Sequence, residues 1–459
     1  MRTFVILRGP RTSGRSTFIF QAGLSPWHVD QKSIEALTCE PIHVRDGTLR
    51  YDRKARGRAR DRVMDVLTEK FRRGSLVLFE PVDTGSPSSR DAVSASDRTI
   101  LAAIELARAW RYEIVFIDFC ADIAAEEIEA RLAKRPDPFN LHDRARAGRC
   151  LSHMRRRVGL REVPARWLTP ADISAAGSLM ALLEPQTVDI DRYANVVAIG
   201  DIHGCFHTLK ALIGPDGPRD DVAYIFTGDY INKGPRSAQV LTYLLEHFEH
   251  RENAFFLAGN HEKALEDWVN AAPIRKKAFS STTLPDFEAR RFAKRDARRF
   301  LAMLKDGLRL SWNGTEILAT HGGFARPPEW LCLLSAEHLA YGADDALFDV
   351  DGAWESGVIS GAVPTSDRVI QVHGHRNNHS LPICAGAGSF NLEGGVESGG
   401  AMRAVILRKT AQGTHSATLE VPNCEAKGGR GTGQDARPAP ADLFGPCEEL
   451  RDTSLQEIV

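Results

Sequence analysis

The strongest constraint on this chain is a set of five short polar blocks: Gly200-Asp-Ile-His-Gly204, Gly228-Asp-Tyr-Ile-Asn-Lys-Gly-Pro235, Gly259-Asn-His-Glu262, Thr320-His-Gly-Gly323 and Val372-His-Gly-His375. The apolar runs at their heads, Asn195–Ile199, Val222–Thr227, Ala254–Ala258, Thr315–Thr320 and Arg368–His373, read as buried strands. All five blocks can therefore meet at one edge of a sheet core. Together they offer carboxylates, an amide and imidazoles, donors that suit Mn²⁺, Fe or Zn²⁺ better than Ca²⁺. A carboxylate shared between two cations and backed by histidines makes a two-metal, phosphoester-hydrolysing centre chemically reasonable.

A second opening of the same design lies at the start of the chain. Thr3-Phe-Val-Ile-Leu7 runs into Gly9-Pro-Arg-Thr-Ser-Gly14-Arg15-Ser16-Thr17, which has the spacing of a phosphate loop with Arg15 where lysine is expected. Backbone N–H groups and the helix start would cradle the phosphates of ATP, and Ser16 would hold Mg²⁺. The nucleotide-binding set is thus Gly9, Gly14, Arg15, Ser16 and Thr17. Strand candidates Leu76–Phe79 and Ile114–Ile117 alternate with helical stretches Ala59–Arg73 and Arg98–Trp110. That alternation predicts a parallel sheet covered by helices.

The expected fold class is therefore α/β throughout: residues 1–186 form a phosphate-loop domain with a parallel sheet, and residues 187–410 form an α/β sandwich. Residues 262–310 read as a charged, mostly helical insertion, and residues 411–459, rich in Gly and Pro toward their end, as a largely disordered tail. The 60 acidic and 59 basic side chains nearly cancel, but the balance is uneven. Residues 1–185 carry 31 Lys/Arg against 24 Asp/Glu, and the remainder 28 against 36. Arg-rich stretches at Arg53–Arg62 and Arg144–Arg161 could follow a nucleic-acid backbone, although no aromatics interleave them. Eight cysteines without a CxxC pair suggest neither a zinc knuckle nor a disulfide framework. No apolar run approaches the roughly 20 residues that span a bilayer, so the expected compartment is the cytoplasm, with no membrane partner.

From about residue 195 to 408 the sequence resembles the calcineurin-like metallophosphoesterases, in the branch that holds the Ser/Thr protein phosphatases. The block Asn391-Leu-Glu-Gly-Gly-Val-Glu-Ser-Gly-Gly400 is similar to that branch's closing strand and turn. The resemblance implies Asp201, His203 and Asp229 on one divalent metal, Mn²⁺ first with Fe or Zn as alternatives. It implies Asp229, Asn260, His321 and His375 on a second, with Asp229 bridging and His375 preferred over His373. His261 would be the general acid that protonates the leaving oxygen, and Lys233 and Arg236 would bind the phosphate. The branch reads Gly-Asp-x-x-Asp-Arg-Gly where this chain has Asn232 and Lys233. Asn232 could accept a hydrogen bond from the His261 ring but cannot stabilise an imidazolium as a carboxylate would. Lys233 keeps the charge and loses the arginine fork. Weaker catalysis or altered specificity is expected.

With the phosphate loop in front, the order resembles the bacterial polynucleotide kinase-phosphatases. That resemblance implies a 5′-OH kinase and removal of 3′ or 2′,3′-cyclic phosphates from nucleic-acid ends. Asp30 would activate the 5′-OH, Ser33 stands where an arginine is expected, and Glu80 would be the acidic residue ending the next strand. Arg131 and Arg135 match the family's lid arginines. The chain has no room after the phosphatase for the ligase that some relatives carry, so sealing would need a separate partner. Two alternatives stand beside this: a phosphoprotein phosphatase or dinucleoside polyphosphate hydrolase with a regulatory or degenerate phosphate-loop domain, and a binding adaptor with two degenerate sites.

Overall fold

The computed structural model describes residues 2–425 except 11, 44–48, 52, 83–94, 122, 135–146, 158, 343–347, 366–367, 377–387 and 411–412. The chain divides into two compact units, one of residues 1–184 with 332–335 and one of residues 185–331 with 336–459. The break lies two residues from the expected boundary.

In the first unit a five-stranded sheet runs in the order His28–Asp30, Val77–Glu80, Thr3–Arg8, Glu113–Asp118, Arg166–Leu168. All neighbours are parallel, with Val5 registered on Leu78 at one side and on Val115 at the other. Thr3–Arg8 is buried along its whole length, as a central strand covered on both faces must be. The helix Arg53–Arg73 starts six residues before the expected stretch, and its Val63, Leu67 and Phe71 turn inward at helical spacing. Phe71 meets Phe4 edge-on at 4.9 Å. A parallel sheet in this order is consistent with a Rossmann-like or phosphate-loop domain.

The second unit is built on two sheets. The larger runs in the order Leu304–Lys305, Ala254–Leu257, Val222–Phe226, Asn195–Ile199, Ala401–Thr410, Gly413–Pro422. The smaller runs Ser389–Asn391, Val369–His373, Thr315–Thr320, Gly307–Trp312, Val188–Asp189. Alternation along Asn195–Ile199 splits its side chains between two cores. Val196 and Ala198 pack with Leu310, Trp312, Ile317 and Val372 of the smaller sheet. Val197 and Ile199 pack under Leu209, Leu241 and Leu244 of the helices Phe206–Ile213 and Ser237–Phe248. The insertion is mostly helical up to Met303, while Leu304–Lys305 and the start of Gly307–Trp312, expected within it, are strands; it adds Phe279, Phe287 and Phe300 to that second core.

One expectation fails here. Residues 411–459 read as a loose tail, yet Gly413–Pro422 is a full edge strand pairing antiparallel with Ala401–Thr410, Val405 against Thr418. Its residues Ala417 and Val421 are buried, so its alternation fits a half-buried strand, a signal that the neighbouring Gly and Pro content outweighed. Residues 426–459 lie outside the described residues. Among the described residues no helix is long and apolar enough to cross a membrane.

Candidate metal centre and phosphate loop

All five polar blocks leave the carboxyl ends of neighbouring strands in the second unit. Asp201 and His203 follow Asn195–Ile199, Asp229 follows Val222–Phe226, and Asn260 and His261 follow Ala254–Leu257. His321 and His375 follow two strands of the smaller sheet. The loops turn sharply. His203, Asp229, Asn232, Lys233 and His375 all adopt left-handed φ angles, between 45° and 73°. Such backbone costs of order 1–3 kcal/mol per residue and clusters where a site demands it.

Three groups of ligand atoms each lie within 4.8 Å of one another: His203, Asp229 and His261; Asp229, His321 and His375; Asp201, His203 and Glu393. His321 Nε2 is 3.4 Å from Asp229 Oδ1, and His203 Nε2 is 3.6 Å from Asp229 Oδ2. Asp229 therefore stands between the two sets, as a bridging carboxylate would. His373 is turned away, with Nε2 3.0 Å from Asp351 and Nδ1 donating to the Gly374 carbonyl, which leaves His375 as the ligand candidate. Glycine makes the approach possible at two points: a Cβ on Gly374 would strike Asp201 Oδ1, and one on Gly259 would strike Asp229.

The donor atoms fit divalent cations. Asp201 Oδ2, Asn260 Oδ1 and His321 Nε2 are buried without a hydrogen-bond partner, a costly state unless a guest satisfies it. Histidine orientation agrees. Nδ1 of His321 faces the Thr227 carbonyl at 2.8 Å and Nδ1 of His203 faces the Ile231 carbonyl at 3.1 Å. Each Nδ1 carries the proton, so each Nε2 presents its lone pair to the centre. Burial and the adjacent Glu393 and Asp229 carboxylates push the Asp201 carboxyl well above its usual range. Burial acts the same way on Asp229, but His321, His261 and His203 outweigh it and hold that carboxyl well below the usual range.

Glu262 has a role that its place in the block did not disclose. Its carboxylate accepts from the backbone N–H groups of Asp229 at 2.9 Å, Tyr230 at 2.9 Å and Gly259 at 2.8 Å. It ties two ligand loops together. His261 N donates to Asp229 Oδ1 at 2.9 Å, which completes the join.

Asn232 does not accept from His261. Its Oδ1 accepts the Thr283 hydroxyl at 2.7 Å, which turns its Nδ2 toward His261 Nδ1 at 2.8 Å as a donor. The network thus assigns the His261 proton to Nε2. Burial, only partly opposed by Asp229, lowers the ring to about 3, with His203, Lys276 and Lys233 adding to the effect. His261 is a neutral donor from Nε2.

Both expected phosphate cations have carboxylate partners. Lys233 Nζ is 2.7 Å from Glu397 Oε1, and Arg236 pairs with Glu425, across 189 residues. Sequence reasoning missed a third cation, Lys276, carried by the insertion. It lies 6.0 Å from the Tyr341 ring, which meets the His375 ring edge-on at 5.3 Å. No ion pair holds Lys276 among the described residues. Glu393 and Thr283 were also missed; neither had a spacing signal.

In the first unit the expected residues gather at the carboxyl ends of the strands. Ser16 Oγ is 3.0 and 3.1 Å from the two Glu80 oxygens, and Arg15 Nε is 3.4 Å from Glu80 Oε1. Arg15 is turned inward, 6% exposed, and donates to the Leu7 and Pro81 carbonyls. Gly14 has a φ of 104°, which only glycine adopts readily, and Gly9 packs against Ser13. Thr17 is exposed on the following helix. Arg131 reaches the loop, donating to the Thr12 carbonyl at 3.0 Å. Asp30 caps the helix Gln31–Thr38, accepting from Lys32 N and Ser33 N, and takes the Ser33 hydroxyl at 2.6 Å. Arg135 lies outside the described residues.

The Arg-rich stretch does meet one aromatic. Arg157 stacks 3.8 Å above the Trp167 ring, but the other partner of that ring is Phe116 at 4.1 Å.

Residues 194–400 match the family of calcineurin-like phosphoesterases. Among solved structures, the chain is similar to a protein serine/threonine phosphatase from Saccharomyces cerevisiae, at 15% identity and a TM-score of 0.32, over 57% of this chain and 95% of that one. It is similar to a cold-active protein-tyrosine phosphatase of a psychrophilic Shewanella species, at 15% identity and 0.35, over 52% and 83%. It is also similar to a metallophosphoesterase from Sphaerobacter thermophilus, at 16% and 0.29, over 50% and 89%. At such scores these likenesses carry no argument about substrate. The family match and the ligand geometry agree: residues 194–400 are a calcineurin-like metallophosphoesterase domain.

Proposed function

We propose that this chain hydrolyses phosphate esters at nucleic-acid ends, 3′-phosphate monoesters or 2′,3′-cyclic phosphodiesters, and that its first unit is an ATP-dependent 5′-OH kinase. The observation that carries the hydrolase is the set of three orphaned ligand atoms around Asp229. Support for nucleic-acid ends is the phosphate-loop unit in the same chain, where Ser16, Glu80, Asp30 and Arg131 gather at one edge of the sheet.

When bound, divalent metals, Mn²⁺ first, would supply Lewis-acid polarisation of the phosphoryl group and an acidified water. Asp201, His203 and Asp229 would hold one, and Asp229, Asn260, His321 and His375 the other. His261 donates its Nε2 proton in a hydrogen bond to the leaving oxygen, with Asn232 fixing the tautomer from the far side of the ring. Because Asn232 donates and bears no charge, it cannot favour the imidazolium, so proton delivery is weaker than with a carboxylate there. Lys276 adds positive charge beside His375 for the substrate phosphate. In the kinase, Ser16 and Glu80 would hold Mg²⁺ with ATP phosphates on the loop, and Asp30 would orient the 5′-OH. A separate ligase would then seal the ends.

The test is the Mn²⁺-loaded protein assayed in parallel on a 3′-phosphorylated oligonucleotide, a phosphopeptide and a dinucleoside tetraphosphate. Turnover of the oligonucleotide by a wide margin is expected. Activity confined to the phosphopeptide or the dinucleotide would replace the end-processing reading with one of those two.

A further inference from the structure

We infer that Lys233 is a built-in occupant of one metal half-site, so that the Asp201–His203 half binds its cation more weakly than the Asn260–His321–His375 half, and that loading the weaker half frees Lys233 for substrate phosphate. This rests on the metallophosphoesterase reading of residues 194–400.

One lone pair on His203 decides what this half-site can hold. His203 Nδ1 faces the Ile231 carbonyl at 3.1 Å, and a carbonyl can only accept, so the proton is on Nδ1 and Nε2 has a single lone pair to offer. Lys233 Nζ sits 3.0 Å from that Nε2, and an ammonium can only donate, so the lone pair is taken. An ion held by that histidine would need the same lone pair. Ion and ammonium therefore exclude each other.

The backbone makes this arrangement a built one. Asn232 and Lys233 are both left-handed, with φ 73° and 60°, and Asn232 N is anchored on Ser237 and Thr283 hydroxyls. Glu397 Oε1, 2.7 Å from Lys233 Nζ, gives the displaced ammonium a partner on leaving His203. The other half-site has no such occupant among the described residues. His321 Nε2 and Asn260 Oδ1 are orphaned, while His321 Nδ1 is fixed on Thr227. The two halves share Asp229 and differ in what a cation must displace.

The test is calorimetric titration of the metal-stripped full chain with Mn²⁺, with bound ions counted by inductively coupled plasma mass spectrometry. Wild type should bind two ions in unequal steps. Losing a charge-assisted hydrogen bond as competitor should tighten the weaker step by roughly tenfold to a hundredfold in K233M and leave the stronger step unchanged. Inorganic phosphate should bind more tightly once the second ion is loaded, in wild type and not in K233M. K233A should behave as K233M, and the unchanged strong step reports an intact centre in either variant. Equal steps in wild type, or a weak step that K233M and K233A leave unmoved, would overturn the inference while the metal centre stands. Failure of wild type to bind any ion would overturn both.

Discussion

The two candidate sites solve the same problem in opposite ways. At the candidate phosphate loop, Arg15, Ser16 and His28 converge on one carboxylate, Glu80, and Asp30 is satisfied by its own helix cap. Most of its polar groups answer one another, with Ser13 Oγ an exception. At the metal centre, Asp201, Asn260 and His321 keep buried atoms with no hydrogen-bond partner, and carboxylates crowd together. Burying polar atoms unpaired costs roughly 1–3 kcal/mol each, so the second site is organised around a guest. The first must break internal contacts before it can receive one.

The largest expected effect comes from cutting the join between the ligand loops. E262A orphans three buried N–H groups, so unfolding of the second unit should be easier by at least about 3 kcal/mol. Urea denaturation measures this, and E262Q, which keeps acceptor capacity, should lose less. Indifference of the unit to E262A would show that the loops hold themselves.

Asp351 is a useful contrast, since it too pairs with a histidine yet is fully satisfied. Burial works against its ionisation, but His373, Ser389 and Asn391 lower its carboxyl from the ordinary 3.8 to about 2. A lowered carboxyl stabilises the folded state at pH above its unfolded value and loses that contribution as pH falls toward the folded one. D351N should therefore be less stable than wild type by about 2 kcal/mol at pH 7. The gap should close between pH 4 and 2, as followed by denaturation across that range. A gap independent of pH would assign the loss to packing.

Smaller effects probe each site's departure from pattern. R15K should release the loop cation from the Leu7 and Pro81 carbonyls and tighten ATP binding about tenfold, or about 1.4 kcal/mol, as read by calorimetry. Weaker binding in R15K would mean that Arg15 already serves the nucleotide. N232D should raise phosphatase turnover a few-fold by holding the His261 ring from Nδ1 with a charge. An unchanged or lower kcat would remove His261 from proton delivery. K276A should raise KM a few-fold with kcat nearly kept, and a kcat loss alone would move Lys276 to a different role.

Most of the metal centre was legible because its ligands follow strands directly, so local pattern places them. Asp201, His203, Asp229, Asn260, His321 and His375 each lie within a few residues of a strand end. What was hidden depends on distant chain. Thr283, which turns Asn232 from acceptor to donor, is 51 residues away, and Glu425, which holds Arg236, is 189 away. Lys276 arrives on an insertion that reads only as charged and mostly helical, with no spacing that points to the site. The strand Gly413–Pro422 was overlooked because its alternation is short and a Gly- and Pro-rich stretch follows. In the first unit the parallel sheet followed from alternating runs, but nothing local says that Arg15 turns inward, since its partners Glu80 and Pro81 come from another strand.

On the function proposed above, a cation-dependent centre on Asp229 removes phosphate from nucleic-acid ends. Release of inorganic phosphate from a 3′-phosphorylated oligonucleotide, by wild type and D229A, each with Mn²⁺ and with EDTA, tests it most directly. The account predicts release by wild type with Mn²⁺ alone, and at least a hundredfold less from D229A, whose carboxylate both half-sites share. Equal release by the two proteins, or release that survives EDTA, would contradict it.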